Sequence, residues 1–141
     1  MLNATADTNV YVSAFTIGGK PMELMQLASS GQIELAVSDA ILDEVARVLA
    51  RQKFGWSAER IAELRKTITS MARHVTPTQR LDVVQDDPTD NIILECAQAA
   101  GSDFIISGDK HLLRLKQYGN APILKVSDFL GTALGRTGQA L

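Results

Sequence analysis

Residues 33–49 read IELAVSDAILDEVARVL. Ile33, Leu35, Ala36 and Val37 lie in a short run of strand length, residues 33–37. Ser38 follows as a helix N-cap, with Asp39 in the first turn against the helix dipole. Ile41, Val45, Val48 and Leu49 then recur at helical spacing. A strand that runs directly into a helix is the repeating unit of a parallel α/β sheet. Outward from this unit the same alternation continues. Asn3–Ala6 reads as a strand ending at Asp7. Pro21 suits the first turn of a helix, and Gly31 suits its C-terminal end. Phe54 and Gly55 break the helix after Leu49, and Ser57 caps another that runs to about Val75. Val83 and Val84 form a candidate strand. Asp87 and Pro88 start a helix that stops at Gly101. Phe104–Ile106 is a strand, Lys110–Leu115 a short helix, residues 123–126 a last strand and 127–134 a last helix. The expected fold is α/β with a mostly parallel sheet, in a single domain over residues 1–134, followed by a frayed tail at 135–141.

The 141-residue length matches one domain and suffices to bury a core. With 45% hydrophobic and 21% charged residues the balance is that of a globular chain. A single cysteine, Cys96, excludes an internal disulfide. No apolar run approaches the ~20 residues of a membrane helix, and no secretory signal is visible, so a cytoplasmic location is expected. Net charge is −2, but it is unevenly spread. Residues 46–80 hold eight basic residues against Glu59 and Glu63; the remainder holds six basic and fourteen acidic residues. The basic segment reads either as a solvated helix face or as a place for a polyanion.

The acidic excess falls in a pattern. In a parallel sheet all strand C-termini share one edge, where ligand crevices form. Asp7 follows the first strand, and Asp109 follows Ser107 at the end of the strand Phe104–Ile106. Both are expected at that crevice, although each also suits an N-cap. Glu44 shares a helix face with Ile41 and Val48, and an inward carboxylate needs a partner or a metal. A buried ion pair to an arginine is its structural alternative. Asp43, off that stripe, reads as a surface pair with Arg47. Asp90 shares a face with Ile93, Leu94 and Ala97, and it also stands where a carboxylate can cap the helix from Asp87. Asp86 reads as loop and Asp87 as a cap or a supporting residue beside the site.

Clustered carboxylates repel, by about 4 kcal/mol for a pair ~4 Å apart at an effective dielectric near 20. A hard divalent cation removes that repulsion. Oxygen-only ligands suit Mg²⁺ or Mn²⁺, which also accept phosphate oxygens. Such a site serves phosphodiester hydrolysis, and a basic segment nearby then holds the phosphate backbone. Arg60, Arg65, Lys66 and Arg73 are the candidate contacts. Other chemistries are poorly served: Cys96 has no partnered histidine, Gly18 and Gly19 lack the rest of a phosphate loop, and His74 and His111 are too few for zinc.

Four segments carry a resemblance: DTNVYVSA from Asp7, SDAILDEVARVL from Ser38, DDPTDNIILECA from Asp86 and SGDKHLL from Ser107. In this order and spacing the chain resembles the PIN-domain family, over roughly residues 3–130, and within it the VapC-like bacterial toxin components of toxin–antitoxin pairs. The resemblance implies a three-layer α/β/α fold with a central parallel sheet, and a Mg²⁺- or Mn²⁺-dependent ribonuclease. It implies that Asp7, Glu44, Asp90 and Asp109 are the catalytic, metal-holding acids, and that Thr8, Asn9, Ser38, Asn91 and Ser107 line the site. RNA, an antitoxin protein and a second copy of the chain are the partners it implies. Two departures stand out. Asn3–Ala6 is more polar than the first strand of the family, and His111 occupies a place where the branch often has another acid; His111 is expected on the exposed side of its helix. Two other classes of function compete. A receiver-like phosphoacceptor would need paired acids near the chain start and a lysine ending a late strand, whereas this chain has Asp7 alone and Lys110 in a loop. A non-catalytic interaction domain would not need all four acids.

Overall fold

The computed structural model describes residues 1–134. The chain runs β1 (Asn3–Ala6), α1 (Thr8–Thr16), α2 (Gly19–Ser29), β2 (Glu34–Val37), α3 (Asp39–Ala50), α4 (Ala58–Met71) and β3 (Ala72–His74). A 3₁₀ turn, Pro88–Asp90, leads into α5 (Asn91–Ala100), then β4 (Phe104–Ile106), α6 (Lys110–Leu115), β5 (Gln117–Tyr118), β6 (Ala121–Leu124) and α7 (Val126–Asp128). A π-helical turn, Phe129–Leu134, follows. The strands form one sheet in the order β3-β2-β1-β4-β6-β5. All neighbours are parallel except β5, which folds back antiparallel on β6. This is the α/β architecture with a mostly parallel, helix-flanked sheet that the strand–helix alternation anticipates.

The order reverses beside β1. From there the chain builds outward through β2 and β3, and later returns to lay β4 on the other side of β1. The C-terminal ends of β1 and β4 therefore flank the switch point, where a parallel sheet leaves its crevice. Three helices begin immediately past strands, each with a side-chain cap. Asp7 caps α1, Ser38 caps α3 and Asp109 caps α6.

β1 is buried along its whole length despite its polar sequence. Its polar groups are satisfied within the sheet. Asn3 donates its side-chain amide to Glu34 Oε1 at 2.7 Å and its backbone N–H to Asp103 Oδ2 at 2.9 Å, and it accepts from Ser102 Oγ at 2.7 Å. Thr5 Oγ1 lies 2.8 Å from Ser102 Oγ. Buried polar groups cost little once paired, so the polar first strand is compatible with a central position.

Several expectations need correction. Val83 and Val84 are not a strand; their backbone N–H groups are held by the side chain of Asn91. The helix after Ser57 stops at Met71, because residues 72–74 pair with β2 as an edge strand. The last strand is Ala121–Leu124, shifted by its hairpin with β5. The last helix starts at Val126 and becomes π-helical from Phe129. The expected tail, residues 135–141, lies outside the described residues. Among the described residues no helix is long and apolar enough to cross a membrane.

Candidate metal centre

A cavity of about 320 Å³ opens at the ends of β1 and β4. It is lined by Asp7, Thr8, Asn9, Glu44, Asp87, Asp90 and Asp109, with Arg47 and Arg51 on its α3 side. Four separated segments thus deliver five carboxylates to one place.

Asp7 is positioned by both backbone and side chain. Its N–H donates to the Ile106 carbonyl at 2.9 Å, which ties it to the end of β4. Its Oδ1 accepts from Val10 N–H at 3.1 Å, and its Oδ2 accepts from the Ser107 hydroxyl. Ser107 Oγ also accepts from Asp109 N–H at 2.9 Å. One buried serine therefore holds both strand-end acids in register. Asp109 Oδ1 accepts in turn from His111 N–H at 2.7 Å and Leu112 N–H at 3.3 Å. Only one oxygen of the Asp109 carboxylate is used in this cap.

Asp90 arrives from the 3₁₀ turn. Its backbone N–H bonds the Asp87 carbonyl at 3.0 Å. Its side chain makes no helix cap, so the capping reading does not hold. Asp90 is only 8% exposed, and its Oδ2 is buried without a hydrogen-bond partner. Carboxylate oxygens of Asp87, Asp90 and Asp109 lie within 4.8 Å of one another. Burial, followed by the neighbouring Asp109 carboxylate, pushes the Asp90 carboxyl up to about 8. Burial also raises Asp7, against the lowering effect of Ser107 and the backbone donors. Such shifts mark carboxyl groups that keep a proton because burial and neighbouring carboxyl groups disfavour the ionised form.

Glu44 sits at the edge of this group, with 19% of its side chain exposed. It is held by Arg47 in a two-point ion pair, Nε to Oε2 at 2.9 Å and Nη2 to Oε1 at 2.5 Å. The expected pair between Asp43 and Arg47 does not form; Asp43 bonds Arg65 of α4 at 2.8 Å instead.

The small polar residues divide. Thr8 and Asn9 line the cavity, whereas Ser38, Asn91 and Ser107 lie behind it. Ser38 accepts from Ile41 N–H at 3.3 Å. Asn91 receives Val83 and Val84 N–H and donates to the Val84 and Pro88 carbonyls, which fixes the loop that carries Asp87. His111 is not on an open face: 22% of its side chain is exposed, and Nδ1 lies 3.8 Å from Asp86. The basic candidates lie elsewhere. Arg60 stacks on Trp56, Arg65 bonds Asp43 and approaches Asp39, Lys66 faces Glu63 and Arg73 faces Glu34. The cationic side chains that do line the cavity, Arg47 and Arg51, escaped the sequence reading. Their signal was present: residues 44, 47, 48 and 51 share one helix face.

The donor set fits a hard divalent cation. It is all oxygen, three members are mutually close, and one buried oxygen has no partner to satisfy it.

Comparisons with known proteins agree with this fold. The PIN domain family model matches residues 4–111, and the chain belongs to that family. Its fold is similar to that in the crystal structure of VapBC2 from Rickettsia felis bound to a DNA fragment from their promoter. The TM-score is 0.60 at 14% sequence identity, over 86% of this chain and 97% of the other. No curated protein sequence matches the chain.

Proposed function

We propose that this chain is a Mg²⁺- or Mn²⁺-dependent endoribonuclease, acting in the cytoplasm as the toxin of a toxin–antitoxin pair, with residues 1–134 as one nuclease domain. The observation that carries the reading is the buried, unpartnered Oδ2 of Asp90 beside Asp87 and Asp109. Asp7, Asp90 and Asp109 would hold the ion, with Glu44 at the rim. When bound, the ion supplies Lewis-acid stabilisation of charge developing on the phosphate.

The chain's own residues do the positioning. Ser107 bonds the Asp7 carboxylate and the Asp109 backbone N–H, so one hydroxyl sets the two strand ends side by side. Asn91 holds the loop before Asp90. Asp90 otherwise keeps its proton to about pH 8 and would release it on entry of a divalent cation, whose charge neutralises the ionised carboxylates beside it. Thr8 and Asn9 offer polar groups to the substrate at the cavity wall. Arg60, Arg65, Lys66 and Arg73 add salt-sensitive attraction for the RNA backbone. An antitoxin and a second copy of the chain complete the partners; the antitoxin is supported by the family and by the VapBC2 fold likeness.

A receiver-like phosphoacceptor is disfavoured, because among the described residues no lysine lines the cavity. The test is incubation of a single-stranded RNA with the protein in Mg²⁺, in Mn²⁺ and in EDTA. Internal cleavage with either ion, none in EDTA and none by Asp90→Asn is expected. Cleavage in EDTA would overturn the metal reading, and no cleavage under any condition would favour a non-catalytic interaction domain. Induced expression should arrest growth with the wild type and not with Asp90→Asn.

A further inference from the structure

Cationic side chains share the lining of the cavity with the acids. Arg47 in the last turn of α3 and Arg51, the residue that ends it, both line the cavity. Their circumstances differ. Arg47 commits two nitrogens to Glu44. Arg51 is exposed and has no carboxylate partner among the described residues. Its backbone, by contrast, is firmly held. Its N–H donates to the Val48 carbonyl at 3.2 Å, and its carbonyl accepts from Phe54 N–H at 3.0 Å and Gly55 N–H at 2.6 Å. Gly55 has φ +60°, the left-handed geometry that lets the chain turn back onto that carbonyl. A rigid turn therefore presents an uncommitted guanidinium to the mouth of the acid crevice. The dipole at the C-terminal end of α3 favours a cation there, but it does not require that cation to face the cavity.

We infer that Arg51 takes a backbone phosphate of the nucleic-acid substrate at the cavity that the acids line, while Arg47 positions Glu44. The inference rests on the nuclease reading above and adds the substrate-holding residue to it. A guanidinium fork matches two phosphate oxygens, which a lysine ammonium does not. The electrostatic logic is local: Arg51 shares the cavity with carboxylates that a divalent ion would neutralise, so phosphate binding and ion binding support each other.

The test is anisotropy of a fluorescein-labelled single-stranded RNA, titrated in Ca²⁺ at several salt concentrations. Arg51→Ala should bind about tenfold more weakly, as for loss of one charged hydrogen-bonding contact. The slope of log affinity against log salt should fall by about 0.7, the value for one phosphate contact on a single strand. Arg51→Lys should keep most of the slope and recover only part of the affinity. Lys20→Ala, an exposed charge on α2 away from the cavity, controls for net charge and should leave the slope unchanged. In Mg²⁺, Arg51→Ala should raise KM more than it lowers kcat, and the Mn²⁺-induced rise in melting temperature should persist. Wild-type binding with an unchanged slope in Arg51→Ala overturns the role of Arg51 and leaves the nuclease reading intact. A wild type that binds no RNA overturns both.

Discussion

At the acid crevice, carboxylate oxygens of Asp87, Asp90 and Asp109 crowd within 4.8 Å, and one of them is buried without a partner. On α4 and β3, Arg65, Lys66 and Arg73 each face an acid of the same chain, and Arg60 lies 3.7 Å above the Trp56 ring. Both regions are conspicuous in the sequence, as acids in four motifs and as a run of basic residues. The fold pairs the charges of the basic run, whereas at the crevice Arg47 is bonded to Glu44 and Asp90 Oδ2 is left without a partner. Exposed ion pairs contribute little and need no further explanation. A buried carboxylate raised to about 8 is costly, and its persistence points to something outside the chain that removes the cost.

Substitutions can break this contrast. The largest effect is expected from Asp90→Asn. Divalent-dependent RNA cleavage should fall by more than the ~10–100-fold that loss of even an outer partner costs a metal site. The metal-free melting temperature should hold at neutral pH, where Asp90 already carries a proton, and should exceed that of the wild type above about pH 8, where a like charge has left a crowded site. A large drop in that temperature would mean that Asp90 is structural.

Ser107→Ala should come next. It removes the hydroxyl that donates to Asp7 in a buried setting and accepts from Asp109 N–H in a partly buried one. A stability loss of about 1.5–3 kcal/mol is expected, as for a hydrogen bond to a charged group. Urea unfolding measures it, and nuclease activity should fall with it even at temperatures where the variant is folded. Activity at the wild-type level would show that the two strand-end acids hold their places without the serine.

The metal-free protein should also respond to pH. Asp90 keeps its proton in the folded state to about pH 8, whereas the unfolded chain releases it near 3.8. The folded state therefore binds more protons across that window, and stability falls as pH rises from about 4 to about 8. Asp7 shifts in the same direction. Melts in EDTA across this range should show a smaller decline in Asp90→Asn than in the wild type. An equal decline would assign the effect to other groups.

The smallest effect belongs to the basic run. Replacing Arg60, Arg65, Lys66 and Arg73 together with Ala should weaken RNA binding and flatten its salt dependence, yet leave cleavage of bound RNA nearly unchanged. Stability should fall by no more than about 1 kcal/mol for each exposed pair. A loss of turnover equal to that of Asp90→Asn would place these residues in the reaction.

Much of this contrast was legible beforehand. Ser38, Gly101 and the strand Phe104–Ile106 announce themselves through capping, left-handed geometry and apolar run length. Asp7 and Asp109 meet because the ends of neighbouring parallel strands must meet; Glu44 reaches the same cavity from α3 and Asp90 from the 3₁₀ turn. The illegible parts depend on partners distant in sequence. β3 is a strand only because β2 lies beside it, and local pattern extends α4 through it. Val83 and Val84 look like a strand, but Asn91 claims their donors. Helix α1 contains Val10, Tyr11, Val12 and Phe15, poor helix formers whose burial, not propensity, decides their conformation. Asp43 has a suitable arginine four residues on, yet Arg65 reaches it from the next helix. Local spacing ranks the neighbours in a helix; it says nothing of a cation arriving from another one.

The central claim is that the crevice carboxylates await a divalent ion. Thermal melts at neutral pH, with and without Mn²⁺, test it most directly in the wild type and in Asp90→Asn. The wild type should melt higher with Mn²⁺, by an amount that grows with ion concentration, since an ion that binds only the folded state stabilises it by mass action. Asp90→Asn should lose most of that shift while melting at or above the wild type in EDTA. No shift in the wild type, or an equal shift in the variant, would contradict the account.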